Sequence, residues 1–285
     1  MTKERWSSAK VLRERGLAPK KSFGQNFLQD AAIADRIAEL ATTPVGGTVV
    51  EIGAGAGALT APLAARAHRV VAIERDRDLV PVLAELFHDS PNVEVLEADA
   101  AQVDWARHFA EGPRPHVLAG NLPYQITGRL LELAVHASRA LDRAVFMVQR
   151  EVADRLVARP GEDDYGALSV FTQAAFHVER ALKVPPGAFF PAPSVDSAVV
   201  TLTPLAPPRA EETEAFRELV RRAFAQRRKT LRNAWKGVFG WRLEELDEAA
   251  AAARVDLTVR GETLAVEDFA RMATLDRAGL PRSST

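Results

Sequence analysis

The sequence predicts an α/β domain on an open, mostly parallel sheet whose last strand runs antiparallel, followed by a small all-α C-terminal domain. Three observations carry that prediction. Short Val- and Ile-rich runs alternate with helix-compatible segments as far as residue 203, the pattern of strands joined by crossover helices. A glycine-rich turn, Gly53-Ala54-Gly55-Ala56-Gly57, follows directly on one of these runs. Beyond a linker marked by Pro204, Pro207 and Pro208 no strand signal remains. A chain of 285 residues has room for one large and one small domain, divided by this reading at 1–206 and 207–285.

The elements follow in order. Ser7 and Ser8 are placed to cap a short helix, Ala9 to Arg15, which Gly16 ends. Lys20 to Leu28 is a polar and aromatic loop with two cations. Asp30 caps a helix through Ala41, with Ile33, Ile37 and Leu40 on one face, and Pro44 and Gly46-Gly47 break it. Thr48 to Ile52 reads as a buried strand, the glycine turn follows, and Leu59 to Ala67 is helical. Val70 to Ile73, Val93 to Leu96 and His116 to Gly120 are the next strands. A helix from Thr127 to Arg139, a strand from Ala144 to Val148 and a helix from Arg150 to Val157 continue the alternation. An exposed loop, Arg159 to Asp164, precedes a helix reaching about Phe176. His177 to Val184 and Val195 to Thr203 are strands with no helix between them, so they are expected to pair antiparallel.

Composition excludes several classes. Apolar content of 47% and charged content of 26% are those of an ordinary globular protein. With no cysteine there are no disulfides, thiolate metal sites or cysteine nucleophiles, and no metal site is predicted. The first 21 residues hold seven Lys or Arg without an apolar core, unlike a signal peptide, and no stretch approaches a membrane span. A cytoplasmic, monomeric protein is the expectation. The 30 Arg outnumber the 7 Lys, which favours bidentate contacts to carboxylate or phosphate.

The chemistry collects at the strand ends. A turn stripped of Cβ atoms at a helix start lets the backbone approach a ligand closely. Glu74 ends the next strand, 21 residues beyond Gly53, the separation that puts a carboxylate over ribose hydroxyls. Asp99 and Asn121 follow the next two strands. Polar groups along this rim point to a nucleoside cofactor, although glycine turns also occur without ligands and Asp99 alone reads as a helix cap. Asn121-Leu122-Pro123-Tyr124 then combines an amide, a rigid backbone with carbonyls free to accept, and a flat aromatic face. That combination suits the exocyclic amino group of a nucleobase; the alternative is a proline turn with Tyr124 in the core. The loop Pro185 to Pro193 places Phe189 and Phe190 where a second aromatic wall is possible, with one of the two expected to anchor the loop in the core.

The smaller domain carries a basic run. Residues Arg217 to Lys236 contain eight basic side chains and one acid. Continued as one helix, Val220, Phe224, Leu231, Trp235 and Val238 share a face. Arg221, Arg222, Arg228, Lys229 and Arg232 fan round the other sides, and Arg227 falls on the apolar face. A charge run is ordinarily a solvated face; here the scarcity of acidic neighbours, with the basic N-terminus, suggests a polyanion track.

Together these stretches resemble the ribosomal RNA adenine N6,N6-dimethyltransferase family over nearly the whole chain. The resemblance rests on Lys21 to Leu28, Glu51 to Gly57, Ala72 to Asp76, Glu97 to Ala100, Asn121 to Tyr124, Phe189 to Ser197 and Arg227 to Asn233, in that order. It implies a Rossmann-like domain using S-adenosylmethionine, with ligand roles for Asn26, Leu28, Gly53, Glu74, Asp99 and Asn121. Asn121, Pro123, Tyr124 and Phe189 are then the expected catalytic and base-holding residues. The small ribosomal subunit and its 16S rRNA are the expected partner, two adjacent adenosines in a hairpin loop the target, and small-subunit biogenesis the setting. Leu122 favours the housekeeping small-subunit branch; Gln125 stands where that branch often has asparagine. Three rivals stay open: a nicotinamide oxidoreductase, which has no use for Asn121 to Tyr124; a DNA adenine methylase; and a ribosome-assembly factor that only binds.

Overall fold

The computed structural model describes residues 7–20, 23–43, 45–226 and 228–278. Lys21, Ser22, Pro44 and Arg227, each invoked above, lie outside them. The chain forms two compact units, Met1–Ala153 with Val178–Pro204, and Asp154–His177 with Leu205–Thr285.

The first unit contains helices α1 (Ser8–Glu14), α2 (Ala31–Ala41), α3 (Thr60–Ala64), α4 (Val80–Leu86), α5 (Trp105–Ala110) and α6 (Thr127–His136). Its strands are β1 (Phe27–Leu28), β2 (Thr48–Ile52), β3 (Arg69–Glu74), β4 (Val93–Glu97), β5 (His116–Asn121), β6 (Arg143–Gln149), β7 (Phe176–Val184, which starts in the second unit), β8 (Phe189–Phe190) and β9 (Ser197–Pro204). Seven of them form one sheet in the order β4-β3-β2-β5-β6-β9-β7. The pairs from β4 to β6 are parallel, and β9 runs antiparallel to β6 beside β7. The central parallel strands are mostly apolar because helices cover both faces, whereas the edge strand β4 exposes Glu94 and Glu97; Val49, Val50, Val71, Ile73, Leu118 and Val145 have 0% exposure.

The strand order places the ligand crevice. From β2 the chain builds outward through β3 to β4, then returns to add β5 and β6 on the other side of β2. The carboxyl ends of β2 and β5 therefore diverge into loops on opposite sides, and a cleft opens between them. The helix caps expected at Ser7 and Asp30 are present, with Asp30 accepting from the Ala32 and Ile33 amides.

Strands β1 and β8 were not legible. Both are two residues long, too short for alternation to show, and they pair antiparallel with Leu28 opposite Phe189 and Phe27 opposite Phe190. The Ser8 hydroxyl donates to the Leu28 carbonyl at 2.7 Å, fastening α1 to this ribbon.

Apart from the start of β7 and a bridge between Thr230 and Arg260, the regular structure described in the second unit is helical, with α7 (Arg150–Val157) entering it and α8 (Ala167–Ala175), α9 (Glu214–Ala225), α10 (Leu231–Ala234), α11 (Leu243–Ala253) and α12 (Val266–Ala278) inside it. Two expectations need correction here. The division at residue 206 misplaces Asp154–His177: Tyr165, Val170 and Ala174 share an apolar cluster with Phe216, Leu219, Trp235 and Phe269, and the Tyr165 hydroxyl donates to the Leu264 carbonyl. Packing across sequence distance, invisible to a linear cut, decides the boundary. The basic run is also not one helix. It breaks after Ala225 because the Leu231 and Arg232 amides donate to the carbonyls of Val259 and Leu257 instead of continuing the helical ladder. Val220, Leu231, Trp235 and Val238 are buried nonetheless, delivered to one core from two segments.

Candidate active site

A cavity of about 320 Å³ opens at the carboxyl ends of β2 to β5, a size suited to a small-molecule ligand. Its lining includes Asn26, Leu28, Gly53, Glu74, Asp99 and Asn121, so every residue expected to bind the cofactor reaches one site.

The glycine turn is shaped by its neighbours. Gly55 has φ +60°, a backbone angle that favours glycine, and a Cβ there would lie 3.2 Å from the Phe27 ring and crowd it. Its N–H donates to Glu74 Oε2 at 2.7 Å, and the Asp76 N–H donates to Oε1 at 2.7 Å. Burial raises the Glu74 carboxyl above its usual range, opposed by these backbone donors. Each Glu74 oxygen accepts one bond and keeps capacity for another. Asp99 is arranged likewise: Oδ1 accepts from the Ala101 N–H at 3.0 Å, as a helix cap does, while Oδ2 faces Arg75 at 3.3 Å. The cap and ligand readings of Asp99 are therefore compatible.

Asn121 is oriented by its amide nitrogen. Nδ2 donates to the Asn26 carbonyl at 2.8 Å, which turns Oδ1 the other way. Among the described residues nothing donates to Oδ1. The side chain is thus an acceptor presented to the cavity, polarised by one fixed bond. Asn26 acts here through its backbone, while its own amide donates to the Gly24 carbonyl. The Tyr124 ring is partly buried and lines the cavity, its hydroxyl 3.3 Å from Ser197 Oγ.

Two catalytic expectations need correction. The Pro123 carbonyl accepts from the Ile126 N–H at 3.1 Å and from Thr127 Oγ1 at 2.9 Å, which fills both its lone pairs. The neighbouring Leu122 carbonyl takes no hydrogen bond among the described residues, and Leu122 lines the cavity. Proline's fixed backbone thus serves the turn, and the available acceptor is one residue earlier. Phe189 forms no second wall: at 2% exposure it sits in the apolar cluster with Leu28, Val184 and Val199, off the cavity lining. Pairing with β1 turns it inward, while Phe190 is 37% exposed.

The N-terminal loop contributes contacts that the sequence did not reveal. Lys20 Nζ bonds the buried Asp76 at 2.5 Å and Asp78 at 2.6 Å, and Gln25 Nε2 donates to Asp76 at 2.8 Å. Burial works to raise the Asp76 carboxyl, but the bonds from Lys20 and Gln25 outweigh it and hold it below its usual value. Phe23, on the cavity wall, has Lys20 and Arg75 each 5.6 Å from its ring centre. A lone acid just past a strand end signals neither partner in sequence.

The basic surface is more neutralised than its sequence suggests. Arg217 pairs with Glu212, Arg221 with Glu214, Arg222 with Glu218 and Arg232 with Asp247. Glu212, Glu214 and Asp247 lie outside the run itself, so counting acids within it missed them. Among the described residues, Arg228, Lys229 and Lys236 are exposed cations without an ion pair. The one described group with metal-ligand spacing, Glu94, His108 and Glu111, already has its two carboxylates bridged by Arg69 at 2.7 Å.

Comparison with known proteins agrees with this geometry. The family model for ribosomal RNA adenine dimethylase matches residues 16–275. The ribosomal RNA small subunit methyltransferase A of Geobacter metallireducens is 42% identical over 92% of this chain and 97% of its own, and that of Moorella thermoacetica 45% identical over 92% and 94%. Among solved structures, a dimethyladenosine transferase from Plasmodium falciparum is similar with TM-score 0.73 at 25% identity, covering 86% of this chain and 95% of that one. The 23S rRNA methyltransferase ErmE is similar with TM-score 0.65 at 29% identity, covering 87% and 98%. With the model spanning the sheet, the cavity and the helical unit alike, the chain belongs to the ribosomal RNA adenine dimethylase family.

Proposed function

We propose that the protein dimethylates the N6 amino groups of two adjacent adenosines in a hairpin loop of small-subunit 16S rRNA, using S-adenosylmethionine. The observation that carries this reading is the polarised Asn121 amide: one atom is tied to Asn26, and the other is presented to a cavity whose rim offers Glu74 and Asp99. That donor set fits the cofactor: carboxylate capacity for ribose hydroxyls at Glu74, an acceptor for an adenine amino group at Asp99, and a close backbone approach at Gly53 and Gly55.

The cofactor supplies a methyl group on a cationic sulfur. The amino nitrogen of adenine is a poor nucleophile because its lone pair is delocalised into the ring. Asn121 Oδ1 and the Leu122 carbonyl together accept its two N–H groups, which favours a pyramidal nitrogen with its lone pair aimed at the methyl. Both acceptors also stabilise the positive charge that develops there, so catalysis rests on positioning and fixed dipoles. No strong base is required, since the alkylated amine is acidic enough to lose its proton. Tyr124 holds the extruded base by stacking, at roughly 1–3 kcal/mol. Arg228, Lys229 and Lys236 contact RNA phosphates, and the protein works as a cytoplasmic monomer in small-subunit biogenesis.

The test is transfer of a tritiated methyl group to small subunits lacking the modification, followed by mapping of the labelled base. Label in N6,N6-dimethyladenosine of 16S rRNA is the expected result. Label confined to DNA, or no label with intact cofactor binding, would overturn it.

A further inference from the structure

One buried acid in the cavity has no part in the mechanism above. Glu51 lies in the middle of β2, is 1% exposed, and still lines the cavity. Thr60 Oγ1 of α3 donates to its Oε2 at 2.7 Å, and its other oxygen has no partner among the described residues. Its flanking residues are small and apolar: Ala72 on β3 and Ala119 on β5 stand beside it in register. The ionisable group in its field is Glu74 on β3, which is also an acid. The remaining charged residues of the lining, Arg75 and Asp99, face each other at 3.3 Å. Nothing cationic in the free protein compensates a charge at Glu51.

Register places this acid under the reaction centre. Glu51 on β2 precedes Gly53 of the glycine turn by two residues, and its neighbour Ala119 precedes Asn121 by two on β5. Two strand residues span about 6.6 Å. A cofactor that presented its methyl beside Asn121 would therefore have its sulfur over the Glu51 end of the cavity, away from the Asp99 end.

We propose that Glu51 senses the cofactor's charge: it waits as the neutral acid and releases its proton when a sulfonium binds above it, so the site favours the cationic cofactor over the neutral thioether product. Burial, with Glu74 adding to it and the Thr60 bond opposing, pushes the free carboxyl up to about 8. The inference rests on the use of S-adenosylmethionine in this cavity. The sign follows from linkage. A ligand that favours the ionised form lowers the carboxyl's pKa on binding, so its affinity rises with pH up to about 8 and is flat above.

Calorimetry of the whole protein with S-adenosylmethionine and with S-adenosylhomocysteine, in buffers of differing ionisation enthalpy, reads the proton directly. The two ligands share their adenosine and amino-acid parts, so the difference isolates the sulfonium. At pH 7 the sulfonium ligand should release close to one proton more than the thioether, with affinity rising up to about tenfold per pH unit. Glu51→Gln should abolish the excess release and cut the affinity ratio of the two ligands by about tenfold. Thr60→Val removes a bond that favours the anion, so the flat region should begin at higher pH; this variant serves if Glu51→Gln does not fold. Equal proton release for the two ligands, or excess release that persists in Glu51→Gln, would overturn the role of Glu51 alone. Failure of both ligands to bind would instead overturn the cofactor reading, and this inference with it.

Discussion

The strand-end rim and the basic run both looked functional in sequence, and they differ in how their polar groups are satisfied. On the rim, fixed bonds orient Asn121 and Glu74 and leave each with acceptor capacity. Asn121 donates through Nδ2 and leaves Oδ1 open, and each Glu74 oxygen holds one backbone N–H with room for a second donor. In the basic run, four of the described charges are neutralised in pairs, as with Arg222 and Glu218 or Arg232 and Asp247. A half-satisfied group is oriented and still reactive, whereas an ion-paired side chain on the surface has given up much of its field. Residue type therefore predicts function better where neighbouring backbone orients it than where like residues merely accumulate.

The comparison breaks first at Asn121. If the free oxygen does the work, Asn121→Ala should lower the methyl-transfer rate by about 10²–10³, the scale of losing one preorganised group in a transition state. The fold should persist, which circular dichroism and an unchanged melting temperature would verify. Retention of more than about a tenth of the rate would remove Asn121 from activation of the amine. Glu74 comes next. Glu74→Ala should weaken S-adenosylmethionine binding by roughly 1.5–3 kcal/mol, the scale of charge-linked hydrogen bonds. Calorimetry showing unchanged affinity would mean that Glu74 only braces the glycine turn through Gly55 and Asp76.

Much of this was legible for a physical reason. Continuous apolar strands and a glycine turn are local signals, and Glu74, Asp99 and Asn121 are displayed because strand ends share one rim of a parallel sheet. What stayed hidden depends on partners distant in sequence. Phe189 is turned inward by a two-residue ribbon with Leu28, and Asp76 is held by Lys20 and Gln25, 56 and 51 residues before it. Glu51 did leave a trace, an acid inside the apolar run Val49-Val50-Glu51-Ile52, but a carboxylate there reads equally as a strand edge. The second unit's boundary depends on Tyr165 and Val170 reaching a core formed mainly after residue 210.

Splitting the basic residues by pairing sharpens the contrast. Arg228→Gln with Lys229→Gln should weaken RNA binding and reduce the slope of log affinity against log salt by roughly 1.5, for two phosphate contacts. Arg222→Gln with Arg232→Gln removes the same charge, yet should move the slope less, because Glu218 and Asp247 already screen those positions. Glutamine keeps a long polar side chain at each position, so the difference reports charge. Equal slopes for the two double variants would show that this pairing does not survive contact with RNA, and residue count would then be the better guide.

The smallest effect is expected at the Tyr124 hydroxyl. It lies 3.3 Å from Ser197 Oγ, a long contact for two hydroxyls, and the group remains partly accessible to water. Tyr124→Phe removes that contact and leaves the ring, so base capture should change by less than about 1 kcal/mol, the net worth of one neutral hydrogen bond. Tyr124→Ala removes the stacking face and should weaken RNA substrate binding by roughly 1–3 kcal/mol while cofactor affinity stays within a few-fold. Fluorescence of a 2-aminopurine placed at the target position gives a readout separate from turnover, because an unstacked base brightens when the ring that quenches it is lost. If the phenylalanine variant loses as much as the alanine variant, the hydroxyl is the functional group. The rim would then hold a second half-satisfied polar atom, paired through Ser197, and the aromatic face would be its carrier.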